Sequence, residues 1–170
     1  MVHAGLVEPR PVTPGPGQES VWDYPRPPRV EPVTARLVVV LGGRTIADTT
    51  AACRVLETSH PPVYYLPMAD FTDGALSPGA GQSYCEFKGP AAYLDVTGGD
   101  RVERAAAWHY PSPAPGYEAL VGGVAVYPAR MDACLVDGEI AQPQPGGFYG
   151  GWITAAVVGP FKGDPGTRGW

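Results

Sequence analysis

Hydrophobic residues along the chain come in short runs of β-forming residues that end at glycine or proline. The clearest run, A-R-L-V-V-V-L at 35–41, is followed by Gly42-Gly43 and then by R-T-I-A-D. Two such runs around a two-glycine turn predict a β-hairpin. Asp137-Gly138, which separates A-C-L-V at 133–136 from E-I-A, is the strongest hairpin signal in the chain. The pattern therefore predicts antiparallel strands joined by short turns.

The remaining runs predict further strands, at residues 62–67, 83–88, 91–96, 103–110 and 124–127. The stretch T-T-A-A-C-R-V-L at 49–56 allows two interpretations. Either Asp48 caps a short helix, or one helical turn leads into a strand at 54–58. We favour the strand, because the prolines that follow forbid a long helix. The expected fold is a single all-β, mainly antiparallel domain, a small sandwich or open barrel of roughly seven to nine strands.

Composition sets the boundaries of this domain. The chain has 23 glycines and 21 prolines in 170 residues, which excludes long helices. Residues 1–20 are rich in Pro and Gly and predict a disordered or extended tail, and the β domain is expected at 21–142. Residues 143–170 are rich in Gly and Pro but also carry several aromatic residues. We expect this C-terminal strap to pack on the domain, as a structural cover in preference to a hinged lid.

Charge and cysteine usage exclude several functional classes. The net charge is −5 and no lysine or arginine cluster is present, so binding to nucleic acid or to an anionic membrane is not expected. The N-terminal stretch lacks the apolar segment of a signal peptide, and no apolar run approaches the ~20 residues that span a membrane. Cys53, Cys85 and Cys134 are widely spaced. We therefore expect a reduced, cytoplasmic protein.

The sequence indicates neither a metal nor another cofactor. The three cysteines are isolated, and His3, His60 and His109 are not at metal-ligand spacing. The chain has no P-loop sequence and no complete G-x-G-x-x-G.

Several stretches, in this order, resemble a bacterial and fungal family catalogued as domain of unknown function four-two-seven. They are G-G-R-T-I-A-D-T (42–49), V-L-E-T-S-H-P-P-V-Y-Y-L-P (55–67), Y-C-E-F-K-G-P-A-A-Y (84–93), A-A-W-H-Y-P-S-P (106–113), A-V-Y-P-A-R-M-D (125–132) and G-G-F-Y-G-G-W-I-T (146–154). The resemblance implies a compact β fold similar to the tent-like sheets of the Mss-four type. It also carries a nucleotidyltransferase-like label, but the chain has no D-x-D pair for the Mg²⁺ that such a transfer uses.

A candidate site is suggested by S-Y-C-E-F-K-G at 83–89. In a strand, Glu86 and Lys88 would share one face, with Cys85 on the other. A pocket results if this face meets the charged and aromatic side chains of the neighbouring strands. The predicted ligand-binding residues are Glu57, Tyr65, Glu86, Lys88, Trp108 and Tyr110.

Within this pocket Lys88 would hold an anion or act as acid or base, and Glu57 is the second catalytic candidate. The alternative is a structural ion pair between Glu57 and Lys88 with Trp108 in the core. Cys85 is interpreted as a buried apolar residue in preference to a nucleophile. The recurrence of F-K-G at 87–89 and 161–163 is interpreted as chance.

Two functional hypotheses follow. The first is binding of a small, anionic organic metabolite, with or without chemistry, so that the sequence does not decide whether the protein is an enzyme. The second is a non-catalytic interaction module that uses its Pro-rich and aromatic termini to contact a partner or a second copy, as in a homodimer. The first hypothesis requires Lys88 and the aromatic residues to lie in a concavity, whereas the second requires an exposed apolar patch near the termini.

Overall fold

The structure, a computed structural model, describes residues 5–170 and confirms the all-β, mainly antiparallel prediction. Helical structure in these residues is limited to four single-turn 3₁₀ segments, Val21–Asp23, Met68–Asp70, Glu118–Leu120 and Pro128–Arg130. No helix in the described part of the chain is long and apolar enough to cross a membrane.

The largest sheet has seven strands, numbered here in chain order, and every neighbouring pair is antiparallel. From one edge to the other the strands are β2 (Arg29–Pro32), β5 (Cys53–Leu56), β6 (Val63–Pro67), β10 (Gly123–Val126), β9 (Arg101–His109), β8 (Gly89–Gly98) and β7 (Leu76–Cys85).

A second sheet has four strands, in the order β12 (Glu139–Ile140), β11 (Ala133–Val136), β3 (Leu37–Leu41) and β4 (Arg44–Thr49). It contains both hairpins that the sequence predicts, at Gly42-Gly43 and at Asp137-Gly138. Both turns have two consecutive residues with positive φ, the geometry that favours Gly and Asp there.

Two short pairs of strands complete the structure. They are the parallel pair β1 (Glu19–Ser20) and β15 (Val157–Val158), and the antiparallel pair β13 (Gln142–Pro143) and β14 (Trp152–Ile153).

The central strands of the large sheet are buried on both faces. Strand β6 illustrates this, because Tyr64 and Leu66 join the core between the two sheets, whereas Tyr65 joins a second apolar cluster on the opposite face. That cluster also contains Trp108 and Tyr110. No sheet covers the second face in the described structure; turns, a 3₁₀ segment and the two terminal segments lie over it instead.

Two predicted elements are wrong. The predicted strand 83–88 ends at Cys85, and residues 86–88 form a three-residue turn that Gly89 closes with a φ of +96°. Left-handed glycine after a three-residue loop is a common hairpin geometry. The stretch 49–56 contains no helical turn, and its strand is Cys53–Leu56 instead of 54–58 because it pairs with β2 and β6.

The terminal segments run along each other. The Val7 amide donates to the Gly166 carbonyl at 3.0 Å, and the Val12 amide donates to the Gly159 carbonyl at 2.8 Å. Trp152 of the C-terminal segment is fully buried in the main core. The prediction of a disordered or extended tail at 1–20 falls partly on residues 1–4, which lie outside the described residues.

The Gly42-Gly43 turn allows a test of how the two sheets approach each other. Both glycines have positive φ, but a Cβ on Gly42 would collide with the Gly98 carbonyl group, whereas a Cβ on Gly43 meets nothing within 4 Å. We expect Gly43→Ala to lower the free energy of unfolding by about 1 kcal/mol, the left-handed cost alone. Gly42→Ala should lower the free energy of unfolding by at least about 3 kcal/mol, because the backbone must also move.

Urea denaturation of both variants measures the difference between these costs. Equal decreases in the free energy of unfolding of Gly42→Ala and Gly43→Ala would contradict the close approach of the Gly42 and Gly98 turns.

Candidate functional site

A cavity of about 280 Å³ lies on the second face of the large sheet. Nine of the nineteen residues that line it are aromatic, more than half of all Phe, Tyr and Trp in the chain. All six residues predicted from the sequence line this one cavity: Glu57, Tyr65, Glu86, Lys88, Trp108 and Tyr110.

The floor of the cavity is an aromatic cluster on the sheet. The Trp108 indole N–H donates to the Tyr65 hydroxyl at 3.2 Å, and their ring centroids are 6.4 Å apart. The centroid of the Tyr110 ring lies 6.2 Å from that of the Tyr65 ring. Such edge-to-face and tilted pairs are favoured by the ring quadrupoles. Burial raises the pKa of Tyr65 and of Tyr110 well above the ordinary value, so both hydroxyls stay protonated and act as neutral hydrogen-bonding groups.

The turn at 86–88 forms one wall. Because this turn replaces the predicted strand, Glu86 and Lys88 do not share a strand face, although both side chains reach the cavity. Glu86 is exposed at the rim. The Lys88 ammonium stands over the Tyr110 ring, 5.9 Å from its centroid. Cys85, half-buried and part of the apolar cluster, also lines the cavity.

The predicted ion pair between Glu57 and Lys88 is not formed. Glu57 accepts a hydrogen bond from the Arg26 guanidinium at 3.2 Å, and its carboxylate is 3.5 Å from His60 Nε2. The Glu57–Lys88 prediction assumed a strand to residue 58, but the strand ends at Leu56 and the chain turns toward the N-terminal segment. Within residues 5–170, no carboxylate lies within 4.0 Å of the Lys88 ammonium.

Gln144 determines which ring nitrogen of neutral His60 carries the proton. The Gln144 carbonyl accepts from the Gly151 amide at 3.1 Å, so its NH₂ group is the one that donates to the Lys162 carbonyl at 2.8 Å. The same NH₂ is 3.0 Å from His60 Nδ1, which must therefore accept. Neutral His60 consequently carries its proton on Nε2, the nitrogen that faces Glu57.

The roof comes from the C-terminal strap. Tyr149 packs edge-on against the His60 ring, with centroids 4.7 Å apart, and its own ring lies 5.7 Å from the Lys162 ammonium. Gly150 touches the Trp108 indole so closely that a Cβ at this position would overlap it. A glycine is therefore required where the strap crosses the floor cluster.

The lining residues that sequence reasoning missed include His60, Tyr149 and Lys162. Each lies far along the chain from the predicted strand residues, or in a loop, where periodicity carries no information. One signal did exist: the two F-K-G sequences contain the only two lysines of the chain, and both lysines line this cavity. The interpretation of the recurrence as chance does not consider that the two lysines could lie in one cavity.

A second cavity of about 300 Å³ adjoins the first and shares Tyr93, Tyr127 and Tyr149 with it. Arg130 lines the second cavity, but its guanidinium is already bound to Glu103 at 2.9 Å. Within residues 5–170, no group of three or more His, Cys, Asp or Glu side chains is placed to hold a metal ion.

Comparison with known protein families identifies the family of this chain. Residues 29–137 match the family described as a domain of unknown function, DUF427. The chain belongs to the DUF427 family. The DUF427 match includes all six predicted site residues and His60, whereas Gln144, Tyr149 and Lys162 lie after its end. No curated protein matches the chain.

The buried His60 makes stability depend on pH. Burial lowers its pKa from 6.5 to about 4; Lys162, Arg26 and Lys88 act in the same direction and Glu57 opposes them. The unfolded chain therefore binds more protons than the folded chain between these two values, so stability is lost as pH falls through this window. Between pH 7 and pH 5, we expect His60 to account for about 2 kcal/mol of this loss.

His60→Gln cannot be protonated, so its stability should fall less steeply over the same range. Urea denaturation of both proteins at each pH measures the difference. Parallel stability curves for wild type and His60→Gln would show that His60 is not held in the neutral form.

Proposed function

We propose that the protein binds a small organic anion with a flat apolar body in this cavity. The observation that carries the proposal is the position of the two lysines. The ammonium groups of Lys88 and Lys162 each stand over a tyrosine ring of the same cavity, and within residues 5–170 no Asp or Glu side chain lies within 4.0 Å of either. Lys162 also donates to the main-chain oxygen of Trp170 at 3.1 Å. Two positive charges without an Asp or Glu partner, set in apolar walls, favour an anionic group from a ligand.

The acidic residues of the cavity do not cancel this charge. Glu57 is bound to Arg26, which compensates its negative charge, and Glu86 is exposed to solvent at the rim. His60 is neutral near pH 7, because its pKa is about 4. The inner part of the cavity therefore has an excess of positive charge, which favours anions.

The aromatic walls argue against a cationic ligand. Aromatic cages bind cations through the negative faces of their rings. Here the protein's own lysines already stand over the faces of Tyr110 and Tyr149. A second cation would be repelled by them, whereas an anion would be attracted.

Size limits the ligand as well. The cavity volume of about 280 Å³ lies just below the usual range for ligand pockets, which favours a small ligand. A single ring that bears a carboxylate, such as benzoate, fits these limits. Its ring would extend the edge-to-face arrangement of Tyr65 and Trp108.

Lys88 and Glu57 remain the predicted catalytic candidates from the sequence, with Lys88 as an anion-holding or acid–base group. Cytoplasmic location and a bacterial setting likewise remain predictions, based on the spaced cysteines and on the family resemblance.

A second candidate function is the interaction module. Several large apolar side chains are exposed in the terminal segments and at the cavity rim: Leu6, Val7, Val12, Tyr84 and Phe148. This distribution favours contact with a protein partner or a second copy of the chain. Analytical ultracentrifugation distinguishes a homodimer from a monomer that binds only small ligands.

The proposed function predicts that the positive charges of Lys88 and Lys162 contribute to the binding of an anion. Lys88→Met and Lys162→Met each remove a cation from the cavity but keep the apolar stem. We expect each to weaken binding of benzoate by about ten- to a hundredfold, because charge-assisted hydrogen bonds contribute about 1.5–3 kcal/mol. Isothermal titration calorimetry measures the change.

Arg44→Met is the matched control, since it removes one exposed positive charge from the β3–β4 hairpin, outside the cavity. It should bind benzoate as wild type does. Equal weakening by all three variants would mean that net charge, not the cavity, attracts the anion.

A further inference from the structure

The aromatic floor of the first cavity continues into the second cavity. The Trp108 ring lies 4.6 Å, between centroids, from the ring of Tyr127, which follows β10 and lines both cavities. In the other direction Trp108 packs against Tyr65, and Tyr65 packs against Tyr110, over whose ring the Lys88 ammonium stands. One row of rings therefore runs from a lysine of the first cavity to the second cavity.

The strap forms a roof over this row. Tyr149 lines both cavities, Gly150 lies against the Trp108 indole in the first, and Gly147 lines the second. The two cavities are thus neighbouring parts of one gap between the strap and the floor. The first cavity alone falls just below the usual volume range for ligand pockets, whereas the two volumes together lie well inside that range.

The wall of the second cavity contains a β-bulge. Ala105 of β9 lines this cavity and has a φ of +50°, in the left-handed region that residues other than glycine seldom adopt. The Asp95 carboxylate on β8 holds the bulge, since it accepts from the Ala105 amide at 2.8 Å and from Arg104 at 2.9 Å. Bulges and left-handed residues are enriched beside functional sites, which favours a binding role for the second cavity as well.

The second cavity differs from the first in its charge. Arg130 is the one charged residue among the described residues that line it, and its guanidinium is compensated by Glu103 at 2.9 Å. The first cavity instead has the ammonium groups of Lys88 and Lys162. A ligand that spans both cavities is therefore expected to carry its negative charge on the part in the first cavity.

We propose that the ligand is an anion with two flat rings, of which the ring that bears the carboxylate occupies the first cavity and an uncharged ring occupies the second. This inference deepens the proposed function and rests on it for the docking of the carboxylate. Tyr127 and Tyr149 contact both rings in this arrangement, because each of them lines both cavities. The second ring raises the affinity, because its burial removes more apolar surface from water.

Isothermal titration calorimetry with benzoate, 3-phenylbenzoate and 4-phenylbenzoate tests the inference. Both isomers are used because the second ring must leave the first in the direction of the second cavity. We expect at least one of them to bind about ten- to a hundredfold more tightly than benzoate, through the added apolar burial. A further carboxylate on the outer ring of that isomer should remove most of the gain, since the described residues of the second cavity include no unpaired cation.

Ala129→Phe is the variant that fills the second cavity, since Ala129 lines that cavity and not the first. The measured quantity is the ratio of the phenylbenzoate affinity to the benzoate affinity, in which any loss of folded protein cancels. We expect this ratio to fall to about one in Ala129→Phe. It should keep its wild-type value in Ala155→Phe, the matched control at an exposed residue that lines neither cavity.

Phenylbenzoates that bind no more tightly than benzoate would overturn the inference and leave the proposed function intact. A gain in affinity that persists in Ala129→Phe, or that persists with a carboxylate on the outer ring, would overturn it in the same way. Absence of binding by benzoate and by both phenylbenzoates would overturn the inference and the proposed function together.

Discussion

The structure depends on one constraint, which is that the centre of the large sheet must be covered on both faces. Every residue of β10 is buried, and β6 places large apolar side chains alternately on the two sides. Exposing either face would leave Tyr65 and Trp108, or Tyr64 and Leu66, in water. The four-stranded sheet covers one face as in a sandwich. The other face is left to turns and to the terminal segments, whose strand pairs are only two residues long.

Irregular segments can cover a sheet only if their polar backbone groups are satisfied, here by other backbone groups and by side chains. The N-terminal segment is held by the Tyr117 hydroxyl, which donates to the Pro28 carbonyl at 2.8 Å, and by the Trp22 indole N–H, which donates to the Pro160 carbonyl at 2.9 Å. Gln144 has the same role in the strap, where it uses both ends of its amide. The cavity lies where this cover leaves space over the floor cluster. Lys162 and His60 therefore both line the cavity and help to anchor the cover, through the hydrogen bonds of Ser59 and Gln144.

Much of this could be predicted from sequence, because the signals are local. Gly42-Gly43 and Asp137-Gly138 specify their hairpins through positive φ, and period-two alternation places Trp108 and Tyr110 on one face. The predictions that failed depend on contacts between residues that are far apart in the sequence. Nothing near Glu57 indicates that Arg26 pairs with it, and nothing near residue 86 shows that Gly89 closes a turn there. Lys162 enters the cavity only because the strap crosses the sheet, and that contact joins residues more than 70 positions apart.

The division of the site between two parts of the chain has a consequence for specificity. The DUF427 match supplies the aromatic floor and Lys88, while the strap beyond it supplies Tyr149 and Lys162. The floor is fixed by the core, because changing Trp108 or Tyr65 would also disturb the packing of the sheet. The strap is held by the buried Trp152, by backbone hydrogen bonds and by Gln144, so Tyr149 and Lys162 can change at smaller cost to the fold. In the proposed function, the floor is the part that selects a flat apolar body, and the strap is the part that determines which polar group that body carries.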